Sequence, residues 1–162
     1  MQNKKTCDNK SDQYWMKKAI YYAKKAQEID EVPVGAVIIK DNKLIAYAYN
    51  QPITKNDPCA HAEVLVLRKA AKKLNNYRLN GCKLYCTLEP CMMCAGALIH
   101  ARVDSLIYAT NDPKTGVVNS VADYLNAPFH NHKIKVTSGI LANESKDLLT
   151  NFFAQKRKSR RS

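Results

Sequence analysis

The sequence predicts an α/β protein in three layers, α/β/α, with helices covering both faces of a central mixed five-stranded sheet. Short apolar runs rich in β-branched residues, such as Val34-Gly-Ala-Val-Ile-Ile39, alternate with segments whose apolar positions recur at helical spacing. The alternation begins after an opening hairpin, which favours a sheet of mixed direction. At 162 residues, 46% of them apolar and 25% charged, the chain suits one domain that buries roughly two-thirds of its unfolded surface.

The first helix is read from Trp15, Ala19, Ile20, Tyr22, Ala23 and Ala26, with Lys17, Lys18, Lys24, Lys25 and Glu28 on the other face and Asp12 as its cap. Pro33 breaks that pattern, and the run over 34–39 reads as a buried strand. Asp41-Asn42-Lys43 turns it into a second strand over 44–49, which ends at Asn50. Pro52 and Pro58 bracket a loop that ends before His61, where a helix to about Leu74 begins. A third strand over 83–88 leads through Glu89-Pro90 into a helix from Cys91 to near Arg102. Strands over 103–109 and 134–137 follow, and Leu148, Leu149, Phe152 and Phe153 stripe a closing helix over 147–154. One domain is thus expected over 1–155, with a basic, flexible tail over 156–162.

The longest apolar stretches are too short to span a bilayer, and no apolar core follows the basic residues near Met1 as a signal peptide requires; a cytoplasmic protein is expected. A net charge of +12 attracts phosphates, and Lys156, Arg157, Lys158, Arg160 and Arg161 concentrate part of it at the end. On charge alone, that cluster is equally a solvated appendage. The six cysteines are expected as thiols, because a chain of this length without a secretory signal needs no disulfide framework. A close pair is then a metal or redox site, and Cys91 and Cys94 form such a pair.

Two motifs at strand-to-helix junctions can carry chemistry. His61-Ala-Glu63 places an imidazole and a carboxylate at the start of one helix, and Pro90-Cys-Met-Met-Cys94 places two thiols on one face of another. One imidazole and two thiolates supply three of zinc's four tetrahedral positions and leave one open, as a catalytic zinc site requires. Each motif alone is weak: a Cys-x-x-Cys is also a thioredoxin-like redox pair or two buried thiols. Together, His-x-Glu followed by Pro-Cys-x-x-Cys is the pattern of the zinc nucleobase deaminases, in which the glutamate shuttles protons. Zinc lowers the pKa of bound water to about 7, and Glu63 is positioned to pass the released proton to a ring nitrogen and to the departing amine.

Further segments carry a closer resemblance. Glu31-Val-Pro-Val-Gly-Ala-Val37, Asn50-Gln-Pro-Ile53, Asp57-Pro58, Ala60-His-Ala-Glu63, Asn76-Tyr-Arg-Leu79, Thr87-Leu-Glu-Pro-Cys-Met-Met-Cys-Ala-Gly-Ala97 and Lys114-Thr-Gly116 resemble the bacterial tRNA-specific adenosine deaminases, from about Tyr14 to Phe153. That resemblance implies a cytidine-deaminase-like fold, a homodimer, one Zn2+ per subunit and no nucleotide cofactor. It implies a hydrolase that converts the wobble adenosine in the anticodon stem-loop of an arginine tRNA to inosine, releasing ammonia. His61, Cys91 and Cys94 match the metal ligands and Glu63 the catalytic proton shuttle. Asn50 matches a residue that binds the flipped base and Asp112 one that meets a sugar hydroxyl; by residue type alone Asn50 reads first as a strand-end turn residue, and Asp112 is equally a turn residue before Pro113.

Cys59 departs from the family, where a small polar residue is expected, and is either an inert neighbour or a competing thiolate. Met92 and Met93 are expected in the core or in a pocket wall. Two rival readings remain: a deaminase of a free base or nucleoside, and a zinc-stabilised RNA-binding module without catalysis. Asn76-Tyr-Arg-Leu79, the 112–116 loop and the basic end argue against the first. The carboxylate of Glu63 and the missing fourth ligand argue against the second, unless Cys59 closes the site.

Overall fold

The computed structural model describes residues 10–161; residues 1–9 of the expected domain and Ser162 of the expected tail lie outside the described residues. Helix α1 (Asp12–Glu28) opens at Ser11, whose hydroxyl oxygen accepts a hydrogen bond from the Tyr14 N–H at 3.2 Å. The expected cap, Asp12, lies one residue inside, and its carboxylate accepts the Tyr85 hydroxyl at 2.7 Å. Tyr85 is almost wholly buried, so its hydroxyl needs a partner there.

Strands β1 (Gly35–Lys40) and β2 (Lys43–Tyr49) form the expected hairpin, with a register shift between Ile38 and Ile39. Asp41 and Asn42 both take positive φ, 50° and 59°, as a tight turn matched to the strand twist requires. A single turn, α2 (Pro52–Lys55), interrupts the expected loop, and α3 (Ala62–Leu74), β3 (Cys82–Leu88), α4 (Met92–Ala101) and β4 (Ser105–Thr110) follow. The fifth strand, β5 (Lys135–Ser138), starts one residue later than expected. The sheet runs β2-β1-β3-β4-β5, with β1 antiparallel to both neighbours and β3, β4 and β5 mutually parallel.

Alternation along the strands sends side chains to two separate cores. Ala36, Ile38, Leu84, Cys86, Leu106 and Tyr108 meet Leu65 and Val66 of α3 and Ala95 and Leu98 of α4. Val37, Ile39, Tyr85 and Ile107 meet Trp15, Met16, Ala19 and Ile20 of α1 on the other face. Close approach of α1 depends on Gly35: a Cβ there would lie 2.1 Å from the Ala19 carbonyl oxygen and 2.5 Å from the Ala23 nitrogen. Backbone cannot yield as a side chain does. Gly35→Ala is therefore expected to cost about 1–3 kcal/mol or more, read as a lower denaturant midpoint; an unchanged midpoint would show that α1 shifts freely over β1.

Helix α5 (Ala142–Arg161) corrects the expectation of a tail from residue 156, since Lys156 to Arg161 continue the helix. Three features extend it. Lys156 pairs with Asp30, the Ser159 hydroxyl donates to the Lys156 carbonyl at 2.9 Å, and Lys158, Arg160 and Arg161 place cations at the negative end of the helix dipole. At its start, the Ser145 hydroxyl donates to the Thr87 carbonyl at 2.6 Å, which holds α5 to β3. Among the described residues no helix is long and apolar enough to cross a membrane. Met92 is exposed and Met93 half-buried, so neither is a core residue, and of the two expected placements only the pocket wall is left.

Candidate active site

Both motifs occupy helix starts on the same face of the sheet. His61 is the residue before the first turn of α3 and Cys91 the residue before that of α4, each with extended backbone. Cys94 follows one turn into α4, which turns its sulfur toward that of Cys91. Because β3 ends at Leu88, the thiol motif lies just beyond the carboxyl end of a parallel strand, the usual ligand position in an α/β sheet.

The His61 Nδ1 lies 3.6 Å from the Cys91 Sγ and 3.5 Å from the Cys94 Sγ. Tetrahedral zinc, with N at about 2.05 Å and S at about 2.3 Å, sets these atoms about 3.6 Å apart. The donor set and its spacing therefore fit zinc. Among the described residues these three form the group of His, Cys, Asp and Glu whose ligand atoms converge. Cys59 is outside this group, so its thiol is not placed as a fourth ligand.

Glu63 points into the same cluster. Its side chain is 4% exposed, and the Cys94 thiol donates to its Oε2 at 3.3 Å. Burial raises its pKa, because the charged form loses water. The Cys91 thiol is pulled down to about 4, chiefly by the adjoining Cys94 side chain, against the cost of burial and with help from the His61 ring. Cys94 is pushed up by Cys91, by burial and by the Glu63 carboxyl to which its thiol donates. The arrangement combines two sulfurs, an imidazole and a buried carboxyl suited to carrying a proton.

Asn50 belongs beside the cluster. Its Oδ1 accepts the Ala62 N–H at 2.8 Å, so the side chain braces the turn between His61 and Glu63. Asp112 does not join it. Its Oδ1 accepts the N–H groups of Lys114 and Thr115 at 3.0 and 3.2 Å, and its Oδ2 accepts the Thr115 hydroxyl at 2.8 Å, so the carboxylate shapes its own turn.

Two carboxylates escaped the sequence reading although both stand inside the quoted segments. Glu31, 1% exposed, accepts the N–H groups of Ile53 and Thr54 at 2.9 and 3.3 Å and so caps α2. Glu89, 2% exposed, accepts N–H groups of the loop after β4. Their partners lie far away along the chain, and no local spacing marks them.

A family profile described as MafB19-like deaminase matches residues 10–157. A tRNA-specific adenosine deaminase of Haemophilus influenzae is 42% identical over 151 residues, covering 93% of this chain and 87% of that protein. The Bacillus subtilis tRNA-specific adenosine deaminase is 43% identical over 150 residues, 93% of either chain. A solved structure from a study of A-to-I editing by tRNA:A34 deaminases is 43% identical, with a TM-score of 0.82 over 84% of this chain and 99% of the other. A guanine deaminase of Nitrosomonas europaea shares the fold more distantly, at 25% identity and a TM-score of 0.79 over 89% and 85%. With a cytidine-deaminase-like fold, a converging His-Cys-Cys group and these relatives, the chain belongs to the MafB19-like deaminases and, among them, to the tRNA-specific adenosine deaminases.

Proposed function

We propose that this protein hydrolyses the exocyclic amine of the wobble adenosine in a tRNA anticodon, producing inosine and ammonia, with zinc held by His61, Cys91 and Cys94. One observation carries the reading: a His-Cys-Cys group at zinc spacing with the buried carboxyl of Glu63 hydrogen-bonded to one of its sulfurs. Zinc, when bound, supplies Lewis-acid activation of water near neutral pH. Glu63 takes one proton from the attacking water and delivers it to the adenine ring nitrogen, then takes the proton left on that oxygen and passes it to the departing amine, so that the C–N bond breaks and ammonia leaves. Asn50, its Oδ1 engaged by Ala62, orients its amide toward the flipped base.

The finer readings belong to the same proposal: an arginine tRNA as substrate, a homodimer, one zinc per subunit and a cytoplasmic location. Incubating the purified protein with total tRNA and sequencing for inosine tests the substrate. Inosine at the wobble position of an arginine tRNA is expected; ammonia from free guanine or cytidine without inosine in tRNA would favour a free-base deaminase, as in the guanine deaminase relative.

Asp112 is the proposed contact to the RNA sugar. Its Oδ1 already accepts two N–H groups, but its Oδ2 accepts the Thr115 hydroxyl with one lone pair and keeps a second, so the turn that it caps leaves capacity to accept a ribose hydroxyl. Asp112→Asn should lower the preference for RNA over DNA hairpins by about 1–3 kcal/mol, measured as the ratio of their kcat/KM values. An unchanged ratio would make Asp112 a turn residue only.

A further inference from the structure

Glu89 sits where the metal-ligand turn and the loop over 111–120 meet, and its carboxylate organises that loop from within. Its Oε1 accepts the Asp112 N–H at 3.1 Å and the Ser120 hydroxyl. Its Oε2 accepts the N–H groups of Val118, Asn119 and Ser120 at 3.1, 2.8 and 2.9 Å. Oε1 therefore ties the start of the loop to its end, and Oε2 gathers the end. Backbone bonds tie the same two segments: the Glu89 N–H to the Thr110 carbonyl at 2.9 Å, and the Val117 N–H to the Pro90 carbonyl at 3.1 Å.

Gly116 completes the fit. A Cβ at that position would lie 2.4 to 2.6 Å from the Glu89 carboxyl atoms, so the loop closes around the side chain with no room to spare. Among the described residues no lysine or arginine pairs with Glu89. Its negative charge is met instead by these loop N–H groups and a hydroxyl, as in an anion nest. An apolar residue of equal size would leave the N–H groups buried without acceptors, and a cation would repel them.

We infer that Glu89 is a positioning residue for substrate recognition: it sets the 111–120 loop, and with it Asp112, against the turn that carries Cys91, without itself touching RNA. The inference rests on the proposed reading of the site. It assigns to Glu89 a role in productive docking of the anticodon loop and none in proton transfer.

Two variants test it from opposite sides. Glu89→Gln keeps the shape but turns an amide N–H2 toward one set of loop donors. Gly116→Ala crowds the same carboxylate from the loop and leaves the chain beside Cys91 unaltered. In both, zinc content and far-UV circular dichroism should match wild type. Amide exchange at residues 112 and 118–120 should speed up about 10-fold or more. KM for an anticodon stem-loop RNA should rise about 10-fold, with kcat at saturation falling less than about 3-fold.

Unchanged exchange in both variants overturns the loop-holding role, and unchanged KM overturns the recognition role. Lost zinc or a fall confined to kcat also overturns the inference, because Glu89 would then act on the metal turn. A wild-type protein that forms no inosine in any tRNA defeats the reading of the site and the RNA part of this inference. Exchange, measured without substrate, still decides whether Glu89 holds the loop.

Discussion

His61→Ala is expected to lose metal and turnover together. The wild-type chain should carry about one zinc, since three ligand atoms converge at one site and a three-ligand set with an open position is the catalytic pattern. Removing the imidazole leaves two thiolates from one helix turn, too few to hold the ion against dilution. Because His61 precedes the first turn of α3 without capping it through its side chain, the helix should survive the change. Zinc analysis and inosine formation on the same preparation would read both effects. Metal at wild-type level in this variant would remove His61 from the site. The parallel Cys59→Ser change should leave metal content untouched, because that thiol lies outside the converging group.

Glu63→Ala should separate chemistry from metal binding. The carboxyl is not among the converging ligands, so zinc should stay near one per chain while the rate falls roughly 10²- to 10⁴-fold, the usual contribution of a positioned proton carrier. The variant's effect on the fold should be small by comparison. Alanine is the best helix former, and removing a buried carboxyl that water no longer stabilises offsets the lost interaction with the α3 dipole, about 0.3–1 kcal/mol. A fall in kcat with KM nearly unchanged would place the group in the transition state. Near-normal turnover would end the assigned role of Glu63.

Much of the architecture was legible because short-range physics decides it. Asp41-Asn42 marks a hairpin turn that only residues tolerant of positive φ adopt readily, and the structure places both there. The periodic stripes of α1 and α3 and the β-branched run of β1 likewise report local choices that burial then reinforces. Errors arose where a local signal had two outcomes. Ser11 and Asp12 are both good caps, and a buried tyrosine hydroxyl took the second. The basic end looked like a tail because charge runs are usually solvated, but Asp30, distant in sequence, meets Lys156 and extends α5.

For the candidate site, the sequence by itself determined the chemistry: a His-x-Glu and a Cys-x-x-Cys each put their groups on one helix start through spacing alone. Tertiary structure decided the rest. Bringing Nδ1 within 3.5 to 3.6 Å of both sulfurs requires α3 and α4 to pack side by side on the same sheet face, which neither helix encodes alone. The buried carboxylates of Glu31 and Glu89 became visible only when the loops folded over them, because their partners are backbone N–H groups. Every residue except proline carries that donor, so no side-chain pattern announces which loop a buried carboxylate will hold.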